Sequence, residues 1–450
     1  MEMRGARARR AADEARALGL AALPTFAALP PAVTLQIFLA VPVDWRLRCR
    51  EVSRAWRAAL SAERALWTHL DLSATSGVSR FSLPLLAAAT ARGGLVSLEV
   101  SHSVFEVHAI LDALTVVCAA NACTLRELRL GSAPRWVTFE QLGALLRAAP
   151  ALQVLKCDAK FDSAPEACEV LRRDGRFAPV RLQHLSFEHS FGGAPLDDEQ
   201  LFQLAADCGA HASLRQLDFR GALSGTRAAL EAVADAAIAA RLKGLQLVGW
   251  RPTGCGVNAA SAPALARLLS HSTWLTSLRV ACGRGCPPMA DAHAAPTLAA
   301  ALRANRTLSD LVLYRVCLWH DMAVAGALLG ALVGHSSLAQ VVLMNEAIRA
   351  EDAATAGALL AALVAANAPA LRLVNLAHCP LGDAGLRPLL AALPHNTHLE
   401  KLQLRGCGMS NALARGPLLA AVRANASLRT LSTGLEAAAA AEGLVASRRA

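Results

Sequence analysis

Residues Gly382 to Cys407 read GDAGLRPLLAALPHNTHLEKLQLRGC. Two periods meet in that stretch. Leu386, Leu389, Leu390 and Leu393 recur at three- and four-residue spacing, the apolar stripe of an amphipathic helix. Leu399, Leu402 and Leu404 then follow the pattern Leu-x-x-Leu-x-Leu, whose last two members alternate and so share one face of a short strand. One unit of the chain is therefore a helix, a turn and a strand.

Working outward, the same phrase begins at Leu95, Leu125, Leu152, Leu182, Leu214, Leu242, Leu275, Leu308, Leu338, Leu371, Leu399 and Leu428. Phe187 and Phe219 take the third apolar place, and Val341 and Val374 the second. Phe139, Leu142, Leu145 and Leu146 form another helical stripe between phrases. The spacing averages about 30 residues, the period of a solenoid in which each unit buries its apolar face against its neighbours. The last copy decays to Leu428, Leu431 and Thr433, as expected of a terminal cap. Because a helix is wider than a strand, the stack curves with its strands inside.

Composition agrees with a binding protein. Of 450 residues, 54% are hydrophobic, which gives ample core, although much of it is Ala. The apolar stretches around Val324–Leu343 and Ala356–Val374 keep the repeat pattern and are interrupted by His335, Asn367 and Arg372, so no membrane span is expected. The charge of +10 is carried by Arg, with Lys only at Lys156, Lys160, Lys243 and Lys401. Acids are interleaved and no aromatic platform accompanies the bases, so no nucleic-acid partner is expected. Residues 1–25 read as a basic tail, with Asp13, Glu14 and Pro24 arguing against a signal peptide. The twelve Cys lack paired spacing; Cys282/Cys286 and Cys118/Cys123 have no matching second half, so neither zinc nor a disulfide framework is expected. A reducing compartment, cytoplasmic or nuclear, fits. There is no Gly-Lys phosphate loop, no His-Glu zinc helix and no Gly-x-Ser-x-Gly, so no catalytic residue, metal or cofactor is assigned.

The residues between the inward leucines face the concave side, and equal positions on parallel strands form columns. One column reads Glu99, Arg129, Lys156, Ser186, Asp218, Gln246, Arg279, Val312, Val342, Asn375, Gln403; the next contains Ala281, Tyr314, Met344, Ala377 and Arg405. Polar copies give way to an apolar group of Val312, Tyr314, Val342, Met344 and Leu373, rimmed by Arg315, Asn345 and Arg405. Such a patch is a candidate protein-binding surface. A register one residue different would instead make these side chains core.

The repeat resembles a leucine-rich repeat of the long, helix-bearing ribonuclease-inhibitor type. That resemblance implies a curved α/β horseshoe of about twelve to thirteen repeats over residues 67–450, strands concave and helices convex. The family's Asn or Cys eight places after the first Leu is matched by Cys379 and Cys407, whereas other copies carry Ser103, Ser190, Lys160 or Trp250, so irregular turns are expected.

Upstream, LPPAVTLQIFLAVPVDWRLRCREVSRAWRAALSAERALW runs from Leu29 to Trp67. Val33, Ile37 and Val41 share a helical face with Phe38 beside them, Pro42 ends that helix, Asp44 can cap the next, and Val52 and Trp56 stack a turn apart. This stretch resembles an F-box, here residues 26–66, through Leu29, Pro30, Ile37, Phe38, Val41, Asp44, Leu47, Val52, Ser53, Arg54, Trp56, Arg57 and Trp67. The family often has Glu at the place of Ala32. The resemblance implies a three-helix module docking a Skp-type adaptor, and through it a cullin, by Leu29, Pro30, Ile37, Phe38, Val41, Leu47, Val52 and Trp56. The concave face would then hold a protein substrate. A second reading makes the module only a helical cap on an adaptor-independent scaffold or inhibitor. A third is a GTPase activator, an activity also found on such repeats. Trp67, Leu70 and Leu72 repeat the phrase 28 residues before Leu95, so the module should run rigidly into the first strand.

Overall fold

The computed structural model describes residues 31–41, 65–72, 82–90, 94–101, 107–131, 139–157, 183–188, 213–220, 227–248, 258–283 and 287–448, with isolated positions at 46, 49, 50, 52, 56–58, 60, 63 and 206. Among the described residues thirteen parallel strands follow one another in chain order in a single sheet. They are β1 His69–Asp71, β2 Ser97–Ser101, β3 Glu127–Gly131, β4 Val154–Cys157, β5 His184–Glu188, β6 Gln216–Arg220, β7 Gly244–Val248, β8 Ser277–Ala281, β9 Asp310–Tyr314, β10 Gln340–Met344, β11 Leu373–Asn375, β12 Lys401–Gln403 and β13 Thr430–Ser432. Each of β2 to β13 starts two residues after the first Leu of a copy, and β1 starts two residues after Trp67.

The register matches the columns read from sequence. Glu99 pairs with Arg129, Gln246 with Arg279, Arg279 with Val312, Val312 with Val342, and Val342 with Asn375. Tyr314 pairs with Met344 and with Ala281. Leu311, Leu313, Val341 and Leu343 are buried on the opposite face, against the helices. The alternative register, with Val312 and Tyr314 as core, is therefore excluded. Leu373 stands one row away from that column, between Gln340 and Lys401.

Helices such as Ala262–His271, Ala295–Ala304, Met322–Leu332, Ala353–Ala365 and Gly382–Ala392 cover that buried face. Strands repeat every ~4.8 Å and helices pack 8–10 Å apart, so a two-layer stack of this kind curves toward its strands. Packing is tightest between Ala353–Ala365 and Gly382–Ala392, where Gly357 and Gly385 face each other: a Cβ on Gly357 would collide with Gly385 O, and one on Gly385 would lie 2.5 Å from Ala353 O.

In several carboxy-terminal copies a polar side chain joins the helix end to the next strand. Asn305, Asn396 and Asn425 stand three residues before Leu308, Leu399 and Leu428. The Asn396 amide donates to Val364 O at 2.7 Å and its oxygen accepts Leu399 N–H at 2.7 Å. Asn305 does the same with Leu269 O and Leu308 N–H, and Asn425 with Leu393 O and Leu428 N–H. His335 takes the place in its own copy: Nε2 bonds Leu302 O at 3.0 Å, and burial pushes its pKa down, favouring the neutral ring. Buried backbone groups at these corners have no water to turn to, and in these copies an Asn or His side chain supplies the partner.

The turns after the strands are held by a second set of groups. Cys379 and Cys407, the two residues that match the eight-place position, direct Sγ to Leu343 O at 3.2 Å and Leu376 O at 3.1 Å. Burial raises both thiols, to about 12 and about 11. They act as small buried donors. The seven cysteines described are all free. No helix among the described residues is long and apolar enough to cross a membrane.

Candidate docking faces

The amino-terminal helix Pro31–Ala40 turns two different faces to its surroundings. Phe38 is 2% exposed and meets Trp56 edge to face at 5.8 Å between ring centroids. Both belong to the apolar cluster that continues through Leu60, Leu66, Trp67 and Leu70 into Leu95 and Leu98 of the first full repeat. Trp67 donates Nε1–H to Leu60 O at 2.7 Å. The module and the first strand thus share one core, which is the physical basis of a rigid join.

Val33, Ile37, Leu39 and Val52 point outward, at 44%, 40%, 44% and 67% exposure. Val33 and Ile37, one turn apart, share a flank of the helix, Leu39 lies on the other side of Phe38, and Val52 is exposed on a later segment; among the described residues these large aliphatic side chains are left open to solvent. The residues read together from the sequence therefore divide. Phe38 and Trp56 hold the module to the solenoid, Ile37 and Val52 face out, and Val41 is half-buried. Leu29, Pro30 and Leu47 lie outside the described residues, as do Pro42, Asp44 and much of the expected three-helix arrangement.

Sequence reasoning passed over Arg46. Its guanidinium donates to Val41 O at 2.6 Å and Leu66 O at 2.9 Å, tying the end of the first helix to the segment that leads into β1. Burial lowers its pKa from the ordinary arginine range. Arg50 lies 6.0 Å over the Trp67 ring, a cation–π contact that favours the same arrangement. The signal available in the sequence was only one Arg among many.

On the strand face, Val312, Tyr314, Met344 and Leu373 are half-buried, Val342 is 9% exposed and Arg405 is exposed. Val312, Val342, Tyr314 and Met344 form a two-by-two block across β9 and β10. Asn375 donates Nδ2–H toward Met344 Sδ at 3.3 Å, fixing the edge of that block. Arg315 follows in the left-handed region at φ 54° and lays its guanidinium 5.1 Å from the Tyr314 ring.

In the turn that follows β10 is a residue that the sequence did not mark. Glu346 is eight places after Leu338, in the position held by Cys379 and Cys407 in later copies. It is 2% exposed and accepts Val316 N–H at 2.7 Å and Leu318 N–H at 3.0 Å, closing the turn that carries Arg315. Burial outweighs those bonds and raises its carboxyl from 4.5 to about 7. The raised value means that the unfolded chain ionises first as pH rises. The folded state therefore loses stability between about pH 4.5 and 7, and the loss levels off above that. The total is on the order of 3 kcal/mol. Urea midpoints of the intact chain should fall from pH 5 to pH 8, and Glu346→Gln should flatten that fall. An unchanged pH slope in the variant would remove Glu346 as its source.

Among the described residues no group of His, Cys, Asp and Glu could hold a metal ion. Comparison with known proteins identifies two kinds of domain in the chain. The F-box-like family model matches residues 26–73, and the leucine-rich-repeat model matches residues 369–390 and 395–412. The chain carries an F-box-like domain followed by leucine-rich repeats, a combination that serves protein–protein interaction and generally acts as a non-catalytic adaptor. No curated protein matches it. Among solved structures, leiomodin-1 actin-binding site 2 aligns at 16% identity over 38% of this chain and 88% of that one, with a TM-score of 0.27. A likeness that loose bears on neither fold nor function.

Proposed function

We propose that this chain is the substrate receptor of a Skp–cullin–F-box ubiquitin ligase, with no chemistry of its own. The observation that carries the reading is the exposure of Val33 and Ile37 on one flank of the first helix, with Val52 exposed as well, on a module that matches the F-box-like family and whose Phe38 is built into the core of the first repeats. These exposed residues dock a Skp-type adaptor and, through it, a cullin. Residues 26–66 form the docking module and 67–450 the solenoid, whose strand face presents a protein substrate at a set distance. Free buried thiols suit a reducing compartment, cytoplasmic or nuclear.

Co-purification of the intact chain with a Skp-type adaptor tests this. The wild-type chain should retain the adaptor, and Ile37→Glu/Val52→Glu should reduce binding by well over tenfold, because two carboxylates would be desolvated at the interface. Both positions are exposed, so the variant should keep the wild-type melting temperature. A wild-type chain that fails to retain the adaptor would sink the receptor reading and leave the module as a cap on an independent scaffold.

A further inference from the structure

The charges on the strand face are not evenly satisfied. Toward the amino-terminal end, the described side chains of Arg129, Glu99, Glu127 and Asp218 meet partners within the molecule. Arg129 bonds Glu127 at 2.5 Å with Glu99 3.9 Å away, and His184 meets Asp218 at 2.9 Å. From β8 onward the pattern changes. Arg279 on β8, Arg315 after β9, Lys401 on β12 and Arg405 just beyond it make no ion pair with a carboxylate among the described residues. On the same rows only Asp310 is an acid open to solvent, and it accepts from Ser309 Oγ at 2.5 Å. Glu346 is buried beneath the turn and points to backbone N–H groups. The apolar block of Val312, Tyr314, Val342 and Met344 lies between these cations, with Arg279 beside Val312 on one side and Lys401 and Arg405 two strands beyond β10 on the other.

We infer that this end of the strand face binds an acidic, extended segment of a protein partner, one apolar side chain seated on the Tyr314–Met344 block and flanking carboxylates or phosphates on Arg279, Arg315, Lys401 and Arg405. The inference rests on the receptor reading and names the chemistry of its substrate. Charge complementarity selects the sign of the partner, since four unpaired cations raise the local potential and favour anions. Geometry selects its form. Four strand steps from β8 to β12 span about 19 Å, the length of roughly six extended residues. The apolar centre selects a peptide over a nucleic acid, which would require several stacking aromatics where this surface offers one Tyr. Arginines supply the planar donors that suit carboxylate and phosphate.

The test uses the intact chain and a degenerate heptapeptide library with each residue type fixed at each position in turn, including phosphoserine. The expected result is enrichment of Asp, Glu or phosphoserine at the flanks and of Leu, Met or Phe at the centre. Carboxylate and phosphate arms are distinguished by whether phosphoserine outranks Glu. Binding should weaken by more than tenfold from 50 to 300 mM salt. Arg279→Glu/Arg405→Glu should reduce binding by at least tenfold and shift the preference toward Lys and Arg. Tyr314→Ser should lose the central apolar preference while keeping the acidic one. No selection for acids, selection for bases by the wild type, or tighter binding of a polyuridine probe than of any peptide pool would overturn it. Adaptor co-purification is run on the same variants and should be unaffected, since these residues are far along the chain from the module. Failure of peptide selection with the adaptor bound refutes this inference alone, whereas loss of adaptor binding by the wild type refutes the receptor reading.

Discussion

Replacing Gly357 by Ala should lower the stability of the carboxy-terminal repeats by about 3 kcal/mol, a large effect for one methyl group. The added Cβ would meet the backbone carbonyl of Gly385, and backbone cannot rotate aside as a side chain can. Relief requires the helices Ala353–Ala365 and Gly382–Ala392 to part. Their strands β11 and β12 are held in register by the sheet, so parting opens a gap over Leu360, Leu386 and Leu389, which are buried there. Glycine is a poor residue for a helix interior, costing about 1 kcal/mol against Ala, so its presence at both faces of one contact reflects close approach. Gly330 supplies the control. It lies in the helix Met322–Leu332 with open space where a Cβ would go. Gly330→Ala should therefore gain roughly 0.5–1 kcal/mol from helix propensity. Urea unfolding followed by far-UV circular dichroism should move the two midpoints in opposite directions. Equal shifts would mean that the helices do not meet as closely as described.

The second large effect is expected at Phe38. Phe38→Ala removes a fully buried ring from between Trp56 and the first repeats, at a cost of about 3–5 kcal/mol. In a solenoid each unit contacts mainly its neighbours, so the loss should stay at the amino-terminal end. The module should loosen from β1 and β2 while the distant repeats stay folded. Adaptor binding should be lost, as for Ile37→Glu/Val52→Glu, but for a different reason. Limited proteolysis separates the two. Phe38→Ala should expose residues 31–66 to cleavage, and the surface variant should resist it like the wild type. If both variants were cleaved alike, Ile37 and Val52 would be holding the module together rather than facing a partner. If neither were cleaved, Phe38 would not be the anchor.

The repeat and its register were legible because strand side chains alternate with period two and the inward leucines are large. Leu399, Leu402 and Leu404 allow one assignment of faces, and a shift by a single residue would put Lys401 and Gln403 in the core. The corner ladder was equally present in the letters. Asn305, Asn396 and Asn425 each stand three places before the first Leu, with His335 in the same place. A single polar residue at a helix end carries no periodic signal of its own, so its partners one repeat away are not marked in the letters. Glu346 looks like any surface acid in one dimension. Only its position behind the turn of the preceding repeat, with Val316 and Leu318 N–H groups aimed at it, makes it a buried structural group.

The sequence by itself determined the unit of the fold, the order of its strands and the side each strand residue faces, since these follow from local periodicity and from neighbours one repeat away. It also marked the F-box-like module through Leu-Pro, Pro-x-Asp and Trp-Arg in sequence. Only the tertiary structure decided which residues of that module point inward. Helical spacing places Val33, Ile37 and Phe38 near one another but does not state which side the solenoid covers, and Phe38 went in while Val33 and Ile37 stayed out. Likewise, Arg279, Arg315, Lys401 and Arg405 are scattered through 127 residues of sequence. They become one surface because parallel strands bring every thirtieth residue to about 4.8 Å from the last, and their lack of acidic neighbours is visible only there.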